Sequence, residues 1–264
     1  MGWSRGFVSS RTASANLAAR AFSIVVLLLA GVWTSGHGGR ASAEIAWGRE
    51  GIPVLLYHQV LDTPGMYTVT PAELEQQLIW LRDNGYVGIT PSDLLATVQY
   101  GAALPEKPVM LTIDDGWPSQ YQFVDLVNRY GFRASYFLPN YASVSEDDIR
   151  ALDASGEVCG HTVNHAHLDQ LSYEDAFNEI RDNKVWLEGI IGSPVTCFAY
   201  PFGGFSETAI QAVRDSGMQM AFLAWGGLAA VDPSLDLMTI RRINVNGAYP
   251  LDDFIAVIYG ATGY

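Results

Sequence analysis

The feature that most constrains the fold is an alternation of short apolar runs with amphipathic segments, which begins near residue 51. The segments between the runs carry helix start signals, and the stretch 70–73 (TPAE), for example, combines an N-cap, a first-turn proline and a capping-box glutamate. Strands that alternate with helices are typical of a parallel sheet, either open or closed into a barrel. The runs predicted to form buried strands are 53–58, 109–113, 134–138, 157–161, 196–200, 220–224 and 238–245.

Acidic residues outnumber basic residues, with 28 against 15 in a chain of 264, and the formal net charge is -13. This balance excludes a typical nucleic-acid-binding protein, which needs a basic surface. The charge is unevenly placed, because residues 1–43 contain four of the basic residues and no acidic residue. Residues 44–264 therefore hold 11 basic and 28 acidic groups, a net charge of -17.

The basic amino-terminal stretch is followed by an uninterrupted apolar run over residues 21–33. A bilayer span needs roughly 20 apolar residues, so this run matches the apolar region of a secretory signal better than a membrane span. The stretch 41–43 (ASA) supplies a small-x-small cleavage site. We predict a signal peptide or uncleaved membrane anchor over residues 1–43 and one globular domain over 44–264. Export through the general secretory route would place the protein outside the cell or in the cell envelope, with no stable membrane span once the signal is cleaved.

Two cysteines, Cys159 and Cys197, allow two interpretations. They pair if the compartment is oxidising, or they remain small buried hydrophobic thiols. We favour buried thiols. Their spacing matches no CxxC or zinc-knuckle pattern, so we do not predict them as metal ligands.

Polar residues with metal-binding chemistry follow two of the predicted strands, where catalytic groups of α/β proteins collect. Asp114 and Asp115 directly follow the 109–113 run, and two adjacent carboxylates there are costly unless a cation holds them. His161 and His165 stand four residues apart, which places both imidazoles on one face of a helical turn within reach of one metal ion. One aspartate would bind the ion while the other accepts a proton from an activated water.

A hydrolase with this site also needs an acid for the leaving group. His58 ends the apolar run VLLYH at the same predicted edge, which makes it the preferred candidate over His167. No histidine follows His167, so the acid does not come from the carboxyl-terminal part.

Three motifs resemble those of the polysaccharide deacetylases, carbohydrate esterase family 4. They are the stretches 112–116 (TIDDG), 161–165 (HTVNH) and 198–203 (FAYPFG), and the likeness extends over roughly residues 51–245. The resemblance implies an α/β fold that is a single distorted (β/α) barrel of about seven parallel strands, with residues 44–264 as the catalytic domain. It also implies metal-dependent removal of acetyl groups from N-acetylglucosamine-type sugars.

The resemblance assigns roles to individual residues. Asp114 would be the general base, and the metal ligands would be Asp115, His161 and His165. Backbone amides would stabilise the oxyanion, and they belong to the stretch formed by Tyr200, Pro201 and Phe202.

Two departures from the family pattern require substitutes. Ala199 occupies the place of the arginine that is usual in the third motif, so we predict that Arg241 or Arg242 orients Asp114 instead. The late histidine that usually serves as the acid is absent. The early stretch YHQV, which contains His58, resembles the permuted branch that includes the biofilm poly-N-acetylglucosamine deacetylases, and this supports His58 as the acid.

The sequence therefore predicts an exported, metal-dependent N-deacetylase that acts on a β-linked N-acetylglucosamine polymer. Zinc is the default ion, although cobalt, nickel or iron also suits two imidazoles and a carboxylate. Trp117 and Trp225 are either aromatic residues of a sugar-binding rim or core residues. The alternatives are an O-acetyl esterase on xylan or another glycan, and a glycan-binding protein with little turnover. An iron(II) oxygenase also uses two histidines and a carboxylate, but the second aspartate and the strand–helix alternation count against it.

Overall fold

The computed structural model describes residues 51–229 and 235–260. The expected signal or anchor over residues 1–43 lies outside these residues. No helix in the described part of the chain is long and apolar enough to cross a membrane.

Strands and helices alternate between residues 68 and 226, as the sequence predicts, whereas three strands follow one another over residues 54–69 and the last two strands have no described helix between them. The strands are β1 (Val54–Tyr57), β2 (Gln59–Val60), β3 (Thr68–Val69), β4 (Val87–Gly88), β5 (Pro108–Asp114), β6 (Ala134–Leu138), β7 (Glu157–Gly160), β8 (Cys197–Ala199), β9 (Met220–Gly226) and β10 (Ile240–Asn244). The helices are α1 (Pro71–Asp83), α2 (Pro91–Tyr100), α3 (Gln120–Arg129), α4 (Glu146–Ser155), α5 (Tyr173–Ile191), α6 (Glu207–Asp215) and α7 (Leu251–Ile258). Short 3₁₀ turns occur at Leu168–Gln170 and Pro201–Gly203.

Local sequence signals explain where several helices begin and end. At the start of α1, the Thr70 side chain accepts from the Glu73 backbone N–H at 3.2 Å, and the Glu73 carboxylate accepts from the Thr70 N–H at 2.7 Å. This is the predicted capping box, which satisfies two backbone donors that a helix leaves free. The long helix α5 ends at Gly192, whose φ of 74° is in the left-handed region that glycine adopts without steric cost.

The main sheet closes into a barrel of parallel strands. Strand β1 pairs on one side with β5, where Leu55 is opposite Leu111, and on the other side with β10, where Leu55 is opposite Ile243. The remaining strands follow in the order β10, β9, β8, β7, β6 and β5, so seven strands form a closed ring. Strand β4 adds to the start of β5, and β2 and β3 form a separate small pair. The α/β barrel fold is thereby confirmed.

Two apolar layers pack on the two faces of this ring. One cluster contains strand residues such as Met110, Phe137 and Phe222, and it fills the barrel interior. The other cluster joins the alternate strand residues, such as Leu111 and Ile113, to the buried faces of the surrounding helices. Because successive side chains of a strand point to opposite faces, each strand contributes to both layers.

Cys159 and Cys197 form a disulfide inside the barrel, so the interpretation as two buried thiols was wrong. Both residues are fully buried and their Cα atoms are 5.0 Å apart, within the range that a disulfide spans. They are neighbours because β7 and β8 pair in parallel with Gly160 opposite Phe198, which places Cys159 beside Cys197. A separation of 38 residues along the chain does not reveal this register.

Candidate active site

The two adjacent aspartates separate at the carboxyl end of β5. Asp114 is the last residue of the strand and is buried, whereas Asp115 begins a tight turn with a φ of 74°. Gly116 continues the turn with a φ of 65°, and a Cβ atom there would lie 2.5 Å from the Cβ of Ala142. The turn therefore requires glycine at this position and aims the Asp115 carboxylate away from Asp114.

Asp115, His161 and His165 form a cluster whose ligand atoms lie within 4.8 Å of one another. Oδ1 of Asp115 lies 3.4 Å from Nε2 of His161 and 3.2 Å from Nε2 of His165. This oxygen is buried and accepts no hydrogen bond from the part of the chain that the structure describes. A buried carboxylate oxygen without a donor, facing two imidazole nitrogens, is suited to a divalent cation. The residues present therefore fit the predicted metal site.

The orientation of His161 is set by its other ring nitrogen. Nδ1 lies 2.7 Å from the carbonyl oxygen of Ala199, an acceptor that requires the proton on Nδ1. The lone pair of Nε2 is then directed to the cluster, which is the usual arrangement of a metal-binding histidine.

The charges of the cluster shift the pKa of its members. Burial opposes ionisation of Asp115, but the imidazoles of His161 and His165 hold the pKa of its carboxyl well below the usual range. Burial also disfavours the charged form of His161, yet the two aspartates raise its pKa above the ordinary value. The negative charge of the two aspartates therefore favours a cation at this cluster.

The stretch that carries both histidines is an irregular loop, so the predicted helical turn is wrong. Thr162 and His165 have positive φ values of 66° and 52°. Helix α5 holds the loop with two residues on one face: Asn183 accepts from the His161 backbone N–H at 2.9 Å, and Glu179 accepts from the Asn164 backbone N–H at 2.8 Å. Sequence reasoning missed both residues, although a buried asparagine within a helix is a detectable signal.

Arg242, and not Arg241, contacts Asp114. The guanidinium donates to both Asp114 oxygens, from Nη1 at 2.8 Å and from Nη2 at 2.7 Å. It also donates to the Thr112 hydroxyl at 3.1 Å and to the Leu223 carbonyl at 2.6 Å. Arg242 has no exposed surface, whereas Arg241 is exposed. The structure thus supplies a buried arginine where Ala199 leaves the third motif without one.

The fixed ion pair governs the ionisation of Asp114. Burial opposes the charged carboxylate, but the Arg242 charge and its hydrogen bonds hold the pKa of Asp114 below the ordinary value. Asp114 is therefore ionised at neutral pH. Its Oδ2 atom is 4.0 Å from Nε2 of His161, so the carboxylate borders the metal cluster.

His58 follows β1 at the same edge of the barrel. Its ring contacts that of Tyr67 edge-on, at 5.0 Å between centroids, and its buried Nδ1 atom has no hydrogen-bond partner within residues 51–229 and 235–260. Burial lowers the pKa of His58, while the charges of Asp114 and Asp115 act in the opposite direction. His167, in contrast, is exposed and lies outside the metal cluster, where its ring stacks on Phe202 at 3.9 Å.

The third motif forms a turn beside His165. Tyr200 is buried after β8, and Pro201–Gly203 forms one 3₁₀ turn in which Phe202 has a φ of 59°. The Phe202 ring is half exposed and lies 4.5 Å from the His165 ring. Gly203 is required because a Cβ atom there would lie 2.3 Å from the Trp225 ring. The predicted oxyanion stretch therefore borders the metal cluster.

Trp117 and Trp225 lie on the rim of the site, so their interpretation as core residues is wrong. Their exposed fractions are 41% and 52%. The Trp117 indole N–H donates to Oδ2 of Asp115 at 3.0 Å. A cavity of about 610 Å³ lies on the other side of Trp225, and its described lining residues include Arg241 but no residue of the metal cluster. Trp117 therefore borders the metal cluster directly, whereas Trp225 packs against Gly203 in the turn next to it.

The fold and the site define a class of protein: a (β/α) barrel with a candidate metal site of two imidazoles and one carboxylate beside a second, arginine-bound carboxylate. Comparison with known proteins is consistent with this class. Residues 101–221 match the family described as polysaccharide deacetylase. This match confirms the expected family, a polysaccharide deacetylase domain of carbohydrate esterase family 4, over these residues, and it supports a hydrolase that acts on acetylated polysaccharide.

Individual relatives cover most of the described chain. A putative polysaccharide deacetylase of Bacillus subtilis, YxkH, is 26% identical over 202 residues, which are 74% of this chain and 71% of the relative. The poly-beta-1,6-N-acetyl-D-glucosamine N-deacetylase of Escherichia coli strain K12 is 35% identical, and the match covers 80% of this chain but only 39% of that protein.

Solved structures show the same fold. The Streptococcus pyogenes deacetylase PplD, solved with acetate, aligns with a TM-score of 0.72 at 21% identity and covers 79% of this chain and 98% of that chain. IcaB from Ammonifex degensii aligns with a TM-score of 0.66 at 23% identity and covers 79% of this chain and 96% of that chain.

Proposed function

We propose that the protein is an exported, metal-dependent N-deacetylase of a β-linked N-acetylglucosamine polymer, similar to the permuted branch of the family. The observation that carries the proposal is the cluster of Asp115, His161 and His165 beside an Asp114 carboxylate held by Arg242. The Escherichia coli relative, named for N-deacetylation of poly-beta-1,6-N-acetyl-D-glucosamine, supports this polymer class.

Asp115, His161 and His165 would hold one divalent ion, with zinc the most suitable for this donor set and cobalt, nickel or iron as alternatives. When bound, the ion would supply Lewis acidity to a water molecule and to the acetyl carbonyl.

Asp114 is the proposed general base. Arg242 keeps its carboxylate ionised and fixes its direction, so that Asp114 accepts a proton from the attacking water without moving. The distance of 4.0 Å between Oδ2 of Asp114 and Nε2 of His161 supports this role, because it brings the carboxylate to the border of the metal cluster. Arg242 thus takes the orienting role of the arginine that Ala199 replaces.

His58 is the proposed acid. Burial lowers the pKa of His58 below its usual value, the charges of Asp114 and Asp115 oppose this effect, and its buried Nδ1 atom has no hydrogen-bond partner among the described residues. A protonated His58 would donate to the amide nitrogen as the bond to the acetyl group breaks. Within the turn formed by Tyr200, Pro201 and Phe202, the Tyr200 N–H donates to the Phe222 carbonyl and Pro201 has no N–H. The Phe202 N–H would therefore be the backbone donor that stabilises the oxyanion, because this turn borders His165.

Export is supported by the disulfide between Cys159 and Cys197, because disulfides persist in oxidising compartments and are rare in the cytosol. It is also supported by the basic and apolar pattern of residues 1–43. The acidic balance of residues 44–264 suits a neutral glycan that becomes cationic as its amines are freed. The proposed partner is therefore an N-acetylglucosamine-containing glycan and not a nucleic acid.

The experiment is an acetate-release assay of the full chain with zinc, cobalt, nickel or iron. The substrates are poly-N-acetylglucosamine, chitin oligomers, peptidoglycan and acetylxylan. We expect release from an N-acetylglucosamine polymer, loss of release in Asp114→Asn with the metal still bound, and near-normal release in the matched control Asp169→Asn. Asp169 is a partly exposed aspartate near His167 and outside the metal cluster.

Two outcomes would contradict the proposal. Release from acetylxylan alone would identify an O-acetyl esterase. Glycan binding without acetate release under any metal would identify a binding protein that retains the deacetylase fold.

A further inference from the structure

The two oxygens of the Asp115 carboxylate have different surroundings. Oδ1 faces Nε2 of His161 and of His165 at 3.4 and 3.2 Å, and no described residue donates a hydrogen bond to it. Oδ2 accepts a hydrogen bond of 3.0 Å from the Trp117 indole. The indole nitrogen only donates and cannot bind a cation. The hydrogen bond therefore occupies one oxygen and leaves the other directed to the metal cluster.

The backbone around this hydrogen bond is held on both sides of the turn. The Asp115 N–H donates to the Phe137 carbonyl at 3.1 Å, and the Ser143 N–H donates to the Gly116 carbonyl at 2.9 Å. Trp117 precedes a proline, which restricts its backbone to extended conformations. Its carbonyl accepts from the Gln120 N–H at 2.9 Å, at the start of α3. The indole is thus presented to Asp115 by a turn with little freedom.

We propose that Trp117 is a positioning residue of the metal site, which holds Oδ2 of Asp115 and thereby directs Oδ1 to the ion between His161 and His165. Hydrogen bonds to metal-binding residues orient their ligand atoms, and their loss typically weakens metal binding by about 10–100-fold. Because Trp117 is 41% exposed, water can partly replace the indole N–H as a donor to Asp115. We therefore expect the metal affinity to fall by about 10-fold, the lower end of that range. The inference rests on the proposed metal dependence.

The test compares Trp117→Phe with the matched control Trp225→Phe in the full chain. Each variant keeps a six-membered aromatic ring and removes an indole N–H, and each tryptophan is about half exposed. Of the two tryptophans, only Trp117 donates a hydrogen bond to Asp115. The affinity for Zn²⁺ is measured by competition with a chromophoric chelator, and the visible spectrum of the Co²⁺ form reports the geometry of the ligands.

We expect Trp117→Phe to bind Zn²⁺ about 10-fold more weakly than the wild type and to change the Co²⁺ spectrum. Trp225→Phe should leave both unchanged. In the presence of a chelator, Trp117→Phe should unfold at the wild-type temperature, because the indole makes its polar contact at the rim and not in the core.

Three results would overturn the inference. Wild-type Zn²⁺ affinity in Trp117→Phe would show that the hydrogen bond does not position the ligand. A raised KM with unchanged metal affinity would place Trp117 on the sugar instead. If the wild-type chain itself binds no divalent ion, the proposed function and this inference fail together, whereas the first two results leave the proposed function intact.

Discussion

The buried ion pair between Arg242 and Asp114 makes the protein sensitive to the substitution Arg242→Met. Methionine has a similar length but carries no charge and no donor, so the variant loses four hydrogen bonds from the guanidinium. It also leaves the Asp114 carboxylate, which is only 3% exposed, without its cation. The expected effect is a large destabilisation, because an unpaired buried charge is unfavourable.

The magnitude follows from the burial of both partners. Removal of one member of a buried pair typically costs about 3–5 kcal/mol, and in a domain of this size that corresponds to a fall in Tm of about 6–20 °C. Arg241→Met is the matched control, since the neighbouring side chain is exposed, and it should change stability by less than about 0.5 kcal/mol. Adding Asp114→Asn to Arg242→Met should restore part of the loss, because the orphaned charge is removed.

The assay is equilibrium unfolding in guanidinium chloride with a chelator present and the disulfide intact, so that metal binding does not contribute. Arg242→Lys, which keeps the charge but not the paired geometry, supplies an intermediate value if the methionine variant does not fold. A stability of Arg242→Met within about 1 kcal/mol of the wild type would refute the reasoning. The reasoning would also be refuted if the loss of stability in the double variant equalled the sum of the losses in Arg242→Met and Asp114→Asn.

The remaining predictions concern the disulfide, the turn after β5 and acid stability. Replacing both Cys159 and Cys197 with alanine should lower the free energy of unfolding by about 4 kcal/mol, because the disulfide closes a long loop in the unfolded chain. An unchanged free energy of unfolding in guanidinium chloride would contradict this. Gly116→Ala should destabilise the protein by about 1–3 kcal/mol more than Gly131→Ala, because both glycines have a positive φ but only the Cβ atom at position 116 would meet another atom. Equal losses of stability for the two variants in thermal unfolding would show that the contact with Ala142 is relieved. The pKa of Asp114 is lower in the folded than in the unfolded chain, so its stabilisation is complete above pH about 5 and is lost as the pH falls through the folded value. The advantage of the wild type over Asp114→Asn in chelator should therefore shrink towards low pH, and a constant difference from pH 7 to 2 would disprove the shift.

The sequence predicted the individual strands and helices better than the closure of the sheet into a barrel. Capping signals such as that of Thr70 and Glu73 are local, so the start of α1 was predictable from a few residues. The run predicted at 238–245 contains β10, which is Ile240–Asn244. Closure depends on β1 pairing with both β5 and β10, which are distant in sequence, and residue patterns alone left an open sheet and a barrel equally possible. The barrel was expected only because of the family resemblance.

The arginine that contacts Asp114 shows a limit of pattern reasoning within a strand. In β10 the apolar residues Ile240 and Ile243 lie on opposite faces, and both are buried. Alternation therefore does not tell whether Arg241 or Arg242 faces the barrel interior. The register with the neighbouring strands decides it, as it decides the pairing of the cysteines, and register is a property of the folded chain.

The different roles proposed for Asp114 and Asp115 arise from the backbone conformation at the end of β5. An extended strand would direct the two side chains to opposite faces, and only one of those faces is the barrel interior. The first carboxylate, at the end of β5, keeps that inward direction and reaches Arg242. The second leaves the strand, because the positive φ of Asp115 turns the chain and brings its carboxylate to the histidine loop at the rim. Two identical side chains thus acquire different partners, an arginine for one and two imidazoles with an indole for the other. Exchange of roles would require a different backbone conformation at the turn, so neither aspartate can compensate for loss of the other.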